Sequence, residues 1–361
     1  MRLLLILCAV AVSRAEQSSA EGLIESGHWK RARAVVEARV RDTPSDALYN
    51  FLLSQVRGAF GDRSTPLALA EKAVALDGRT AKYHRQIAEV LGVTAQHVGT
   101  IQQLFLARRF RKEIDAALSL DPRDIQALGD LLEFYLLAPG IAGGDQHRAV
   151  EVAGRIAAID ASEGLLARAR IADFHKQVAA RESLLRQAAE ARPPKYKAHV
   201  ELAQFYLESG HSNLSAAEAE AKAAVNADPG RVDAYAILAA LYADRGGWSE
   251  LDSTLAVAIR EVPDDPVPYY RAAERLLATG RDPVRAERYL RVYLTQEPEG
   301  NQPPTSEARW ELGLALQAQG RAADALAEFR KSARLDPESK AAPEFRRNAR
   351  MAAAPNSAEP I

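Results

Sequence analysis

Seven histidines, one cysteine, a glycine-rich loop and a short basic run are the places where this sequence could do chemistry. The histidines are His28, His84, His97, His147, His175, His199 and His211. No two fall four residues apart, the spacing at which two imidazoles on one helix face share a zinc ion. They read as dispersed surface or interhelix side chains. The only thiol, Cys8, lies in an apolar segment at the start of the chain. No Gly-x-Ser-x-Gly elbow offers a nucleophilic serine, and no Gly-x-x-x-x-Gly-Lys-Ser/Thr loop offers a phosphate cradle. The sequence therefore nominates no catalytic residue, no metal ligand and no cofactor.

Two segments deserve the test of their own neighbours. The loop Gly140 to Gly144 leads into a helix, and free N–H groups at such a junction can hold an anion. Asp145 sits at the capping position, where its carboxylate takes those donors itself, so the segment reads as a helix-connecting turn. Arg108, Arg109, Arg111 and Lys112 stand beside Phe105 and Phe110, a mixture used on single-stranded nucleic acid. Glu113 and Asp115 follow at once, and the two aromatics keep a helical spacing suited to a core, so the run reads as a solvated helix face. The pattern Asn213-Leu214-Ser215 is a glycosylation acceptor only in a eukaryotic secretory route.

The whole chain gives no opposing signal. Its 361 residues carry 47 basic and 48 acidic side chains, too even a balance to mark a nucleic-acid or anionic-membrane surface. Residues 1–15 read as a signal peptide: Arg2, then the apolar stretch Leu3 to Val12, then Ser13-Arg14-Ala15 as the cleavage site. Ten apolar residues are too few for a span that needs roughly 20. The expected mature chain begins near Glu16, lacks a thiol and a membrane span, and is periplasmic or secreted. Leu5-Ile6-Leu7 before Cys8 fits a lipoprotein acceptor poorly, and the loss of Arg2 and Arg14 leaves a net charge of about −3.

The elements that must position these residues are repeats. Ser306 to Ser339 reads SEARWELGLALQAQGRAADALAEFRKSARLDPES, two amphipathic runs broken at Gly320 and ended by Asp336-Pro337. Gly313 and Ala325 are small where two helices must cross closely, and Leu312, Leu316 and Phe329 fill the space beside them. The layout recurs at Leu202, Ala203, Tyr206, Gly210, Ala224 and Pro229, and at Leu238, Ala239, Tyr242, Gly246, Ala258 and Pro263. It recurs again at Ala272, Ala273, Leu276, Gly280, Ala286, Leu290 and Pro298, and Gly27, Trp29, Ala32 and Pro44 match the later half of a unit. Unit ends fall at Pro44, Gly78, Pro122, Ala161, Pro194, Pro229, Pro263, Pro298 and Pro337, mostly about 34 residues apart. The longer units carry an extension at Gly92 to Thr100 followed by one helix over Ile101 to Leu120, and the turn Pro139 to Asp145.

These residues resemble the tetratricopeptide repeat, and Leu131 to Asp145 is also similar to a stretch of exported bacterial repeat proteins. The resemblance implies an all-α fold, an alpha-alpha superhelix of about nine helix-turn-helix repeats. It would occupy residues 16–338, with a capping helix at Ala342 to Met351 and a disordered tail within 339–361. One unit is too small to hold a core alone, so stacking is compulsory.

In that family the first helix of each unit lines a concave groove through unit positions 2, 5, 9 and 12. Carried over, this implies a partner surface of Tyr49, Lys197, Gln204, Tyr270, Glu274, Trp310 and Gln317, with Tyr49, Tyr270 and Trp310 as anchors or as interhelix packing. Some members hold a partner's C-terminal carboxylates with Lys and Asn at positions 5 and 9. Val200 and Gln204, Tyr270 and Glu274, and Trp310 and Leu314 stand there instead, so a carboxylate clamp is not expected.

The expected function is a non-enzymatic protein that binds a protein or peptide, scaffolding in the bacterial cell envelope, with no nucleic acid among its partners. The alternatives are an accessory of envelope glycan or lipid binding or export, and an enzyme with a site in the irregular region 92–160.

Overall fold

The computed structural model describes residues 19–208 and 212–337. The expected signal peptide, Cys8, Gly210, His211, the capping helix and the tail lie outside these residues. Within them the chain forms eighteen α-helices and one short 3₁₀ turn, and no strand. Their order in sequence makes nine pairs, the number the repeat pattern predicts.

Two compact units meet between Ser212 and Asn213. The first holds α1 (Ala20–Glu25), α2 (Trp29–Asp42), α3 (Ala47–Ala59), α4 (Pro66–Leu76), α5 (Ala81–Ala95), α6 (Thr100–Leu120), α7 (Ile125–Leu137), α8 (Gln146–Ile159), α9 (Ala161–Phe174), α10 (Val178–Ala189) and α11 (Tyr196–Phe205). The second holds α12 (Leu214–Ala227), α13 (Asp233–Arg245), α14 (Trp248–Glu261), α15 (Val267–Ala278), α16 (Pro283–Tyr293), α17 (Thr305–Ala318) and α18 (Ala322–Leu335). Helix α11 is the last of the first unit and α12 the first of the second.

Local chemistry starts and stops these helices. Asp46, Asp124 and Asp160 cap α3, α7 and α9 by accepting from the backbone N–H three residues on. Pro66 and Pro283 open α4 and α16, where the missing N–H costs nothing. The second helix of a pair ends one residue before Asp77, Asp121, Asp228 or Asp336. The extension expected at Gly92 to Thr100 is half helix, because α5 runs on to Ala95 before the chain turns.

Within each unit the helices of a pair pack on each other, and first helices pack on the first helices of the next pair. The signature positions supply the contact. Leu202, Leu238, Leu276, Leu312, Leu316 and Phe329 are buried, and so are the small residues Ala224, Ala258, Ala286 and Ala325. A methyl group at Gly313 would overlap the Phe329 ring, so only glycine lets α17 and α18 approach this closely. Gly320 takes the left-handed conformation, φ +77, that turns α17 into α18.

Candidate functional site

The first helices α5, α7, α9 and α11 of the first unit turn one face toward a common groove of about 900 Å³. Its lining follows the register that the family rule assigns to a concave face. Position 2 is Gln126, Glu163 or Lys197, and position 9 is Glu133, Arg170 or Gln204. Arg85 and Leu166 occupy position 5, and Asp173 occupies position 12. Helical geometry explains the choice, since residues three or four apart share one face.

Ion pairs between neighbouring helices fix this lining. Arg170 forks onto Glu133 at 2.5 and 2.9 Å and reaches Asp173 at 3.1 Å. Arg181 forks onto Glu208 at 2.7 Å through both nitrogens and reaches Asp173 at 3.2 Å. Lys195 donates to Asp160 at 2.5 Å and Lys197 to Glu163 at 3.0 Å. Planar forks of this kind hold a guanidinium in one orientation. The two remaining acids are less well served. Asp130 Oδ2 has no hydrogen-bond partner, and Arg85 Nη1 stands 3.9 Å away. Burial and the nearby Glu163 raise the Glu201 pKa, against the pull of Lys197 and Arg181.

The residues expected at the partner surface divide between groove and core. Lys197 and Gln204 line the groove. Tyr270 and Trp310, expected as exposed anchors or as packing, are packing: their exposures are 0% and 7%. Tyr270 lies against Tyr293, 5.1 Å between ring centroids, and donates its hydroxyl to Glu307 at 2.9 Å. Trp310 lies 4.5 Å from Phe329. Position 5 turns inward in these units because the large ring buries more apolar area between the helices than on their rim. Tyr49 is half-buried against the Phe51 cluster, with the Arg39 guanidinium 5.3 Å from its ring. Glu274 pairs with Arg271 at 3.0 Å, and Gln317 is exposed. Four of the seven residues belong to the second unit and none of those four lines the groove.

The register accounts for part of this lining and misses Asp130 and Glu201, each one residue beyond position 5. Positions 2, 5, 9 and 12 of α5, α7 and α9 contribute Arg85, Gln126, Glu133, Glu163, Arg170 and Asp173, yet the irregular lengths of those units concealed where counting should begin. The Asp caps at 124 and 160 were the available signal.

The other sequence candidates resolve into structure. Asp145 accepts from the N–H groups of His147 and Arg148 at 3.0 and 3.3 Å, so the glycine-rich segment is the expected turn. His147 is exposed. His84 pairs with Glu113 at 2.8 Å across α5 and α6. No group of three or more metal-binding side chains is assembled among the described residues. In the basic run, Arg109 pairs with Glu71, and Arg111 pairs with Asp115 at 2.9 Å and donates to the Tyr135 hydroxyl at 2.6 Å. Phe110 stacks on Phe134 as expected. Phe105 is 65% exposed instead. One residue before Leu106, it is turned about 100° off the stripe that Leu106 and Phe110 bury.

No family model matches this chain, and no curated protein matches it. Two solved structures to which it is similar are a tetratricopeptide repeat protein from Parabacteroides merdae and yeast Tom70. The first is 17% identical, covering 73% of this chain and 98% of that one with a TM-score of 0.43. The second is 11% identical, covering 95% of this chain and 90% of that one with a TM-score of 0.47.

Proposed function

We infer that this chain is a non-catalytic repeat protein that binds a protein or peptide partner along the groove of its first unit, and that it does so as a scaffold in the bacterial cell envelope. The observation that carries this reading is the groove lining. Four successive first helices present side chains already held by ion pairs, so a partner meets an ordered polar surface and little rotamer entropy is lost on binding. Most of the groove's acids are engaged by its arginines and lysines. Export rests on the reading of residues 1–15 as a signal peptide.

Affinity capture from envelope extract tests the proposal, with the full chain compared against Lys197→Glu and Gln204→Arg. Both residues lie on the groove and neither is part of the core, so the variants should fold. The expected result is a partner held by the parent chain and lost by either variant, and a periplasmic form whose N-terminal sequence starts near Glu16. Identical captures from all three proteins would remove the groove from the account, and retention in the cytoplasm would remove the envelope.

A further inference from the structure

The charges of the groove do not cancel evenly. Its five cations, Arg85, Arg170, Arg181, Lys195 and Lys197, each stand within ion-pair reach of a carboxylate. Arg170, Arg181 and the two lysines thereby engage Glu133, Asp173, Glu208, Asp160 and Glu163. Asp130, whose nearest guanidinium is Arg85 at 3.9 Å, and Glu201, which makes no hydrogen bond to Lys197 or Arg181, are the least closely matched. Asp130 Oδ2 is a buried acceptor in the groove wall with no hydrogen bond, and the guanidinium nearest to it is already shared with Glu89 at 3.4 Å. Beside it, Arg85 is nine-tenths buried and its Nε donor is also unused. Six acids against five cations line this confined groove, an excess that favours positive charge.

We propose that this groove takes an extended peptide segment bearing lysine or arginine side chains, with Asp130 and Glu201 receiving two of its positive charges. The proposal rests on the groove reading above and adds the chemistry of the occupant. Asp130 lies on α7 and Glu201 on α11, two first-helix spacings apart, which amounts to roughly 20 Å at 8–10 Å per helix. An extended chain covers that distance in about six residues at 3.3 Å each. Two cationic side chains about five or six positions apart therefore match the two acids, and Gln204 lies one turn beyond Glu201 to meet the backbone.

The test is calorimetric titration of the full chain with blocked serine–alanine decapeptides that carry two lysines five or six positions apart. Parallel titrations use the same peptides with two glutamates or two glutamines in place of the lysines, the two lysines adjacent, and spermidine as a free polyamine. The spaced lysine peptides should bind, and the double substitution Asp130→Asn with Glu201→Gln should weaken them by about tenfold or more. Both replacements keep side-chain shape, and an unchanged circular dichroism spectrum confirms that the variant is folded. Equal binding by glutamate or glutamine peptides, or unchanged affinity in the double variant, overturns the proposal while leaving a peptide-binding groove in place. Spermidine binding as tightly as the spaced lysines overturns the peptide as occupant. If no probe binds, the proposal falls, and the envelope capture with Lys197→Glu judges the groove separately.

Discussion

Burial raises the Asp130 pKa to about 7 from an ordinary 3.8, with Arg85 pulling it down and Glu89, Asp124 and Glu133 pushing it up. A carboxyl raised in the folded state binds its proton more tightly there than in the unfolded chain. Its contribution is therefore fully favourable below pH 3.8 and is lost as pH climbs through about 7. Asp130→Asn removes that loss. Urea unfolding should show the variant more stable than the parent by about 1–2 kcal/mol at pH 8, after allowance for solvent screening, and no more stable at pH 4. Equal shifts at both pH values would refute the assignment. The position is general: Asn50, Gln86, Asp130, Glu201 and Glu311 each follow a position-5 residue by one. Asn50 Oδ1, Gln86 Oε1 and Asp130 Oδ2 lack partners, and Glu311 is raised to about 7 by burial, Glu274 and Glu307. The sequence displayed these polar residues, but only the packing of neighbouring helices showed which of them were left without a charge or hydrogen bond to answer them.

Pairs of helices are held by one repeated contact. The Tyr206 hydroxyl donates to Glu182 at 3.2 Å and the Tyr242 hydroxyl to Glu218 at 2.9 Å, each from a first helix to the second helix before it. Tyr135 meets the Arg111 guanidinium over the same sequence separation. The close crossing of α17 and α18 depends on Gly313. Gly313→Ala drives a methyl into the Phe329 ring, and overpacking of this kind costs about 1–3 kcal/mol. Thermal melting should therefore show a lowered transition, with Gly313→Ser lowering it at least as far. No change in the melt would mean that Phe329 moves aside at no cost. This element was legible in the sequence, because a period near 34 residues with small residues at fixed offsets has few other physical readings. Phe105 was misread as core, since five residues from Phe110 is about 140° round the helix and not a shared face, and it is exposed.

For the whole molecule, stability in stacked repeats is a sum of units and nearest-neighbour interfaces. Damage in the second unit should then stay local. Trp310→Ala empties a core site against Phe329, which costs about 3–5 kcal/mol for a large aromatic. Hydrogen exchange should speed in α15 to α18 and stay unchanged in α5 to α9, while the groove of the first unit keeps its affinity for the spaced lysine peptides. Weakened binding without faster exchange would return Trp310 to the partner surface.

Taken alone, the sequence determined the helical pairs and their number, because periodicity, caps and small residues are local properties written in consecutive residues. Tertiary structure alone decided which groove residues are closely held in ion pairs, and it decided between anchor and packing for Tyr270 and Trp310, which are both interior. Those outcomes depend on side chains that lie 19 to 37 residues apart in the chain and meet only after the helices pack. Their charges and volumes are compared in space, where no linear pattern records the result.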